Sequence, residues 1–267
     1  MAGEERVFVR AIRRYCAARA IAVEVRADGW LIAMGHGTTR RFAFGYDIGL
    51  NSAIAHRLAN DKSATSEVLA LAGIPCIPHL LFLNPRLGKN VVEPTWREDM
   101  RALLRDHPEG VVLKPNEGTS GRSVFRVTTE PELDDATGEI FSMSTGLVMS
   151  PYVEIEQEVR VILLDNVPLI VYSKQRGADW RHNLDAGAKP VMLEDGQRRA
   201  TCVVLARDAA AAIGIAFAAI DLVRVAGVWR VLEINSGVMM ETLSTHHPDL
   251  VQAAYEAALD RLFDRAG

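Results

Sequence analysis

The chain has 267 residues with 49% hydrophobic content, enough to bury a core in one large domain or in two to three small ones. Its formal net charge of −4 is spread over interspersed Lys, Arg, Asp and Glu, which excludes the long basic stripe of a nucleic-acid binder. There is no apolar run of the roughly eighteen residues a membrane span needs, and the N-terminal MAGEERVFVRAIRRYCAARA is charged where a secretory signal is apolar, so a cytoplasmic protein without a membrane partner is expected.

From the N-terminus, Val7 to Ala20 reads as a helix and Ile21 to Val25 as a short strand. Asp28-Gly29 reads as a hairpin turn leading into a strand from Trp30 to Met34. Asn60-Asp61 offers a cap to the helix KSATSEVLALAG, which Gly73 closes. IPCIPHLLFL is strand-like, and Trp96 to Asp106 is helical. From Val111 a series of short strands is expected: GVVLKP, SVFRV, LVMSPYV, EVRVILL and PLIVYSK. An alanine-rich helix (Val204 to Ile213), two strands (Phe217 to Val223, Trp229 to Ile234) and an amphipathic helix from Pro248 to Phe263 complete the chain. Strands and helices mix without a regular βαβ repeat, so the fold class expected is α+β. Cys16, Cys76 and Cys202 are odd in number and widely separated, and read as small core residues rather than disulfide or zinc pairs.

Two segments carry chemistry. In VVLKPNEGTSGRSVF an apolar strand ends in Lys114 and enters a polar turn with Gly118 and Gly121. Small residues let backbone N–H groups approach phosphate oxygens, and the lysine supplies a point charge. The lysine precedes the glycines, so this is not a Walker loop; alone, such a segment is usually just a turn. The second segment, FAAIDLVRVAGVWRVLEINSG, reads as two antiparallel strands turning near Ala226-Gly227. Asp221 lies within one strand, while Glu233 and Asn235, two apart on the other, share a face. Three oxygen ligands suit a Mg²⁺ ion whose shell is completed by nucleotide phosphates. The alternative is that the acids face solvent, which their apolar neighbours argue against.

Lys114, the turn and the Asp221, Glu233, Asn235 set follow one another in an order that resembles the ATP-grasp superfamily, from about residue 30 to the end. Upstream, Gly35-His36-Gly37, Ser52 to Ala55, Asp61-Lys62 with Thr65, and Ala72 to Pro75 resemble the entry to the ATP-grasp domain of cyanophycin synthetase and bifunctional glutathione synthetases. KQRGADWRHNLDAGA is similar to a segment of RimK-type glutamate ligases, and VMSPYVEIEQEVRVILL looks like the hinge between the two halves of the grasp.

The resemblance implies an ATP-grasp fold in which two α+β subdomains grip ATP. A truncated N-terminal segment (1–59) would be followed by subdomain A (60–150) and by subdomain B with the magnesium site (151–267). It implies that Lys62, Lys114, Glu117, Gly118, Thr119, Ser120, Gly121 and Ser123 hold the phosphates. Main-chain groups near Tyr152 and Val153 would take the adenine and Glu158 the ribose; many relatives carry glutamate where Ser150 stands, and Glu154 and Glu156 are nearby alternatives for that contact. Lys174, Arg176, Arg181 and Asn183 would lie over the acyl-phosphate site, and Asp221, Glu233 and Asn235 would bind Mg²⁺, two ions being expected and Mn²⁺ a substitute. The implied activity is ATP-dependent amide formation between a small-molecule or peptide carboxylate and an amine, with glutamate-like acceptors leading. Two other readings are a RimK-like ligase that modifies a protein or peptide terminus and an ATP sensor without ligase activity. Beyond the metal set, Ser236, Gly237 and Glu241 are candidates to meet a substrate amino or carboxyl group, Met239 and Met240 read as core packing, and His246 and His247 as cap or surface residues. A homo-oligomer is a further family-based expectation.

Overall fold

The computed structural model describes residues 5–36, 38–118, 122–175, 189–194 and 196–264. Helix α1 (Val7–Ala18) leads into β1 (Ala22–Arg26), β2 (Leu31–His36) and β3 (Thr39–Phe44), an antiparallel meander. Two capped helices follow, α2 (Ala53–Asn60) behind Ser52 and α3 (Lys62–Leu71) behind Asp61; each cap side chain accepts from the third N–H beyond it. Next come β4 (Leu80–Leu83), α4 (Trp96–Asp106), β5 (Val111–Pro115), β6 (Phe125–Val127), α5 (Glu130–Met143) and β7 (Gly146–Pro151). The remainder is β8 (Gln157–Leu164), β9 (Val167–Gln175), β10 (Lys189–Met192), α6 (Gln197–Ile213), β11 (Phe217–Val225), β12 (Val228–Asn235), α7 (Glu241–Ser244) and α8 (Pro248–Asp264). No described helix is long and apolar enough to cross a membrane.

The largest sheet runs β10-β9-β8-β11-β12, every pair antiparallel. Its tight hairpins turn through Asp165-Asn166 and Ala226-Gly227, all four at positive φ, the backbone twist that two-residue hairpin loops require. Alternation gives this sheet two unlike faces. Val159, Val161, Ile220 and Leu222 look to one side, where α6 covers them with help from Ala55 of α2 and Leu69 of α3. The opposite face is apolar at one end, where Ile162, Ile170 and Phe217 pack beneath Phe8 and Ile12 of α1 and Tyr255 of α8. Its other end is charged: the pairing sets Tyr172, Arg160, Asp221 and Glu233 in one row across four strands.

A second sheet, β4-β7-β5-β6, buries Val111, Leu113, Leu147 and Met149 against α4 and α5. Its other face bears Lys114 and Val148 in one row. That face meets the charged end of the larger sheet, since Lys114 stands within electrostatic reach of Glu233, Glu158 and Asp221. The mixture of layers is α+β, as the alternation of elements implies.

Several elements depart from the sequence reading. Helix α5 falls between the expected strands SVFRV and LVMSPYV, where no element was read; a full capping box between Thr129 and Glu132 starts it. Strands β3 and β10 were not foreseen, and α6 begins seven residues earlier than Val204. Of IPCIPHLLFL only Leu80–Leu83 pairs as a strand. Just before it the chain crosses to the larger sheet, where Ile77 N–H donates to the Val231 carbonyl at 2.9 Å and Val231 N–H to the Pro75 carbonyl at 2.8 Å. The three cysteines are free, Cys16 and Cys202 being buried and Cys76 half-buried.

Candidate active site

Lys62 is the first residue of α3, and the cap before it fixes where it stands. Asp61 Oδ1 accepts from Ala64 N–H and from the Ser63 hydroxyl, both at 2.8 Å, while Oδ2 accepts from Asn116 Nδ2 at 2.7 Å. Asn116 Oδ1 in turn accepts from Ser63 N–H at 3.1 Å. The start of α3 is thereby tied to the chain leaving β5, and Lys62 Nζ donates to the Gly118 carbonyl at 2.9 Å and the Asn116 carbonyl at 3.3 Å. Burial pulls the Lys62 pKa below the ordinary lysine range, against Glu233, Asp61 and Glu117. Lys114 has no hydrogen-bond or ion-pair partner among the described residues. Burial draws its pKa down to about 8, Glu233 opposing and Lys62 reinforcing the shift.

On the larger sheet, Asp221 is 1% exposed and receives Arg160 through Nε at 2.7 Å and Nη2 at 2.5 Å. Lys174 Nζ lies 3.0 Å from Asp221 and also donates to Glu158. Burial favours the neutral acid at both carboxyls, with opposite outcomes. At Asp221, Arg160 and Lys174 overcome it and hold the pKa well below the usual range; at Glu158, burial prevails over the pull of Lys174 and the pKa is raised. For the Lys174 ammonium, burial and Arg160 are unfavourable, but Asp221 and Glu158 outweigh them and its pKa is raised. Glu233 lies opposite Asp221, and Asn235 Nδ2 donates to Glu233 Oε1 at 3.4 Å.

Glu233 and Asn235 thus offer hard oxygen donors, whereas both Asp221 oxygens are engaged by Arg160 and Lys174. Among the described residues no cluster of three or more His, Cys, Asp or Glu side chains surrounds a cation on its own. The donor set fits Mg²⁺, which ordinarily keeps waters and takes phosphate oxygens alongside one or two carboxylates. It does not resemble a closed protein cage.

The remaining expected residues are dispersed around this centre. Glu117 forms a backbone bridge with Asp61, beside Gly118. Ser123 points to α5, its hydroxyl donating to Glu139 at 3.2 Å. Tyr152 donates its N–H to the Gly110 carbonyl at 3.0 Å, lies under the Arg126 guanidinium at 3.5 Å, and precedes the half-buried Val153 between β7 and β8. Thr119, Ser120, Gly121, Arg176, Arg181 and Asn183 lie outside the described residues. Past Asn235, the Ser236 hydroxyl donates to Asn60 at 3.1 Å, Tyr46 donates to Glu241 at 2.6 Å, and Met240 is buried in the core.

Arg160 and His79 were not singled out from sequence. Alternation in EVRV puts Arg160 on the face of Glu158, a usable signal, but its pairing with Asp221 needs the β8–β11 register. His79 is a single histidine in an apolar run, which reads as core.

The chain matches the model of the prokaryotic glutathione synthetase ATP-grasp domain over residues 88–238. It is 26% identical over 196 residues to the probable alpha-L-glutamate ligase of Legionella pneumophila strain Corby, covering 72% of this chain and 60% of that relative. The same holds for the proteins of that name from strains Lens and Paris, so the chain spans about 60% of the length of the curated relatives it matches. Among solved structures it is similar to a D-alanine–D-alanine ligase from Bacillus anthracis, with a TM-score of 0.61, 18% identity, and coverage of 80% of this chain and 69% of that one. It is also similar to a D-cycloserine synthetase, with a TM-score of 0.57, 22% identity, and coverage of 77% and 71%. At these identities the structural likeness bears on the fold, which is the ATP-grasp fold. Because the family match takes in Lys114, Glu158, Lys174, Asp221, Glu233 and Asn235 along with more than half of the 267 residues, the chain belongs to the prokaryotic glutathione synthetase ATP-grasp family.

Proposed function

We propose that the chain is an ATP-dependent carboxylate–amine ligase that forms an amide bond through an acyl phosphate, with an amino acid or peptide as substrate. The observation that carries this reading is that Lys62 and Lys114, contributed from one side, and Glu233, from the other, fall within electrostatic reach of one another. Two half-desolvated ammonium groups facing a carboxylate–amide pair suit a metal-bound polyphosphate, since the phosphates supply the negative charge that the lysines lack. Magnesium bound by Glu233 and Asn235, with Asp221 behind them, would neutralise phosphate charge; two ions, with Mn²⁺ as a substitute, are part of the proposal.

In the proposed reaction a substrate carboxylate oxygen attacks the γ-phosphorus and ADP leaves. An amine then attacks the acyl carbon, phosphate departs, and the nitrogen loses a proton to give the amide. Lys62 and Lys114 orient the phosphates, and Lys174, held by Asp221 and Glu158, presents a fixed positive charge at the head of the segment carrying Arg176, Arg181 and Asn183. Positioning and preorganised charge supply the rate, without a covalent nucleophile from the protein. Glu158 and the main chain around Tyr152 and Val153 are proposed to receive the nucleoside. The name of the Legionella relatives supports glutamate as a substrate class and keeps a second reading, addition of amino acids to a protein or peptide terminus, alongside the first. A cytoplasmic setting and a homo-oligomeric state complete the proposal.

The test is phosphate release from Mg·ATP in the presence of pooled amino acids and dipeptides. Amine-dependent release, with products identified by mass spectrometry, is expected. Glu233→Gln and Lys114→Ala are each expected to lower it by roughly 10²- to 10³-fold while the far-ultraviolet circular dichroism stays unchanged. Tight ATP binding with no release from any pool supports a nucleotide sensor instead.

A further inference from the structure

His79 stands just before β4, and three strands relate it to Lys114. Lys114 pairs with Val148 of β7, and Val148 with Leu81 of β4, so these side chains share one face. His79, two residues before Leu81, continues that face toward the buried Ser150. Its backbone is fastened to the helix that carries Lys62: His79 N–H donates to the Ser66 hydroxyl at 3.2 Å, and that hydroxyl donates to the Ser63 carbonyl at 3.0 Å. The residue is 3% exposed, and its Nε2 is buried with no hydrogen-bond partner. The Lys114 ammonium, also without a partner among the described residues, lies within electrostatic reach of that ring. An acceptor and a donor that stand unpaired among the described residues, within electrostatic reach of each other, both carry a desolvation cost that a bond between them removes.

We propose that His79 is a positioning residue of the phosphate grip, its neutral imidazole accepting a hydrogen bond at Nε2 from the Lys114 ammonium and aiming that ammonium at a nucleotide phosphate. The role rests on the ATP-binding reading of this site and adds a residue to it. An uncharged acceptor suits the task, because a carboxylate there would neutralise the lysine and compete with the phosphate. Burial, then Lys114 and Lys62, hold the ring well below its ordinary pKa, while the Ile77 carbonyl is the one neighbour favouring its protonated form. Lys114 itself faces Glu233 from β12, Lys62 from α3, Glu158 from β8 and Asp221 from β11. A protonated His79 would add a third cation beside the two lysines, so the ring remains an acceptor throughout the working range.

Taking the acceptor away removes support for the charged lysine, so the Lys114 pKa drops and affinity for phosphate is lost at a lower pH. Calorimetric titration with Mg·ATP from about pH 6.5 to 9.5 on the wild type, His79→Gln and His79→Leu reads this out. His79→Gln, which retains an acceptor, is expected to bind within about 3-fold of the wild type, and His79→Leu about 10-fold more weakly at neutral pH, with its alkaline fall in affinity displaced to lower pH. Superimposable alkaline limbs for the wild type and His79→Leu, or equal displacement in both variants, overturn the role while leaving the ligase reading standing. No Mg·ATP binding by the folded wild type overturns both. Should the leucine variant fail to fold, the ring nitrogens of the ¹⁵N-histidine-labelled wild type decide. An unprotonated Nε2 that does not titrate between about pH 6 and 8 is expected, and an Nε2–H tautomer or a ring titrating near its ordinary value overturns the proposal.

Discussion

Glu158, Arg160, Lys174 and Asp221 form two acid–base pairs with little access to water, and their arrangement is reciprocal: each base is shared with, or stands beside, Asp221. Removing one member strands its partner in a poorly solvated place, so Lys174→Met is expected to lower stability by about 3–5 kcal/mol in urea unfolding. The sign of the pH dependence follows from Asp221. A carboxyl depressed in the folded state adds stability above its unfolded value, near 4, and loses it as pH falls toward the folded one. The stability gap between the wild type and Asp221→Asn is therefore expected to narrow below about pH 4, and urea midpoints at neutral and acid pH check it. Lys114 works the other way. Its pKa of about 8 lies below the unfolded value, so the cost of burying its charge is fully present below about 8 and is relieved as pH rises toward the unfolded value. The acids and lysines that the fold brings within electrostatic reach of one another were marked in the sequence by motif order. Arg160 and His79 were not, because what gives each a role is a neighbour brought in from a distant strand.

At the scale of elements, the helices that were legible are those with a strong apolar stripe or an unambiguous cap, such as α4 and α3. Helix α5 buries Leu133, Ala136, Thr137 and Ile140, a helical spacing, but Ala and Thr at two of these positions weaken the hydrophobic signal that would announce it. The capping box was the usable cue. Among the described strands β10 pairs with β9, and nothing local in Lys189–Met192 dictates that pairing. The cap at Asp61 shows how an element's end becomes part of the site, since one carboxylate satisfies α3 and grips Asn116, beside the carbonyls that Lys62 reaches. Asp61→Ala is expected to cost about 1 kcal/mol in thermal or urea unfolding. Its effect on Mg·ATP affinity is expected to be larger than that loss, because Lys62 loses its tether to the 116–118 turn. An unchanged nucleotide affinity in a folded Asp61→Ala protein would remove the cap from the proposed nucleotide site.

Across the whole molecule, the same sheet face serves as core at one end and as charged floor at the other, so chain segments remote from the chemistry hold it in register. The residues from Phe8 to Leu50, expected as a short segment ahead of the gripping fold, pack in one cluster with Phe217 of β11 and Tyr255 and Leu259 of α8. Phe8 is 1% exposed, with its ring 5.4 Å from Tyr46 and 5.3 Å from Tyr255. Hydrophobic periodicity exposed each of these helices separately, yet no local pattern says that the first and the last share a core. Phe8→Ala leaves a cavity between them and is expected to cost about 3–5 kcal/mol in urea unfolding. Phe8 packs in a cluster that includes neither Lys62 nor Lys114, so the specific activity of the folded fraction is expected to match the wild type at temperatures well below the lowered melting point. A variant that stays as stable as the wild type would mean that the amino-terminal helix is only loosely docked. One that folds normally but loses turnover would mean instead that the apolar end of the sheet transmits its packing to the charged end, through the strands that carry Arg160 and Asp221.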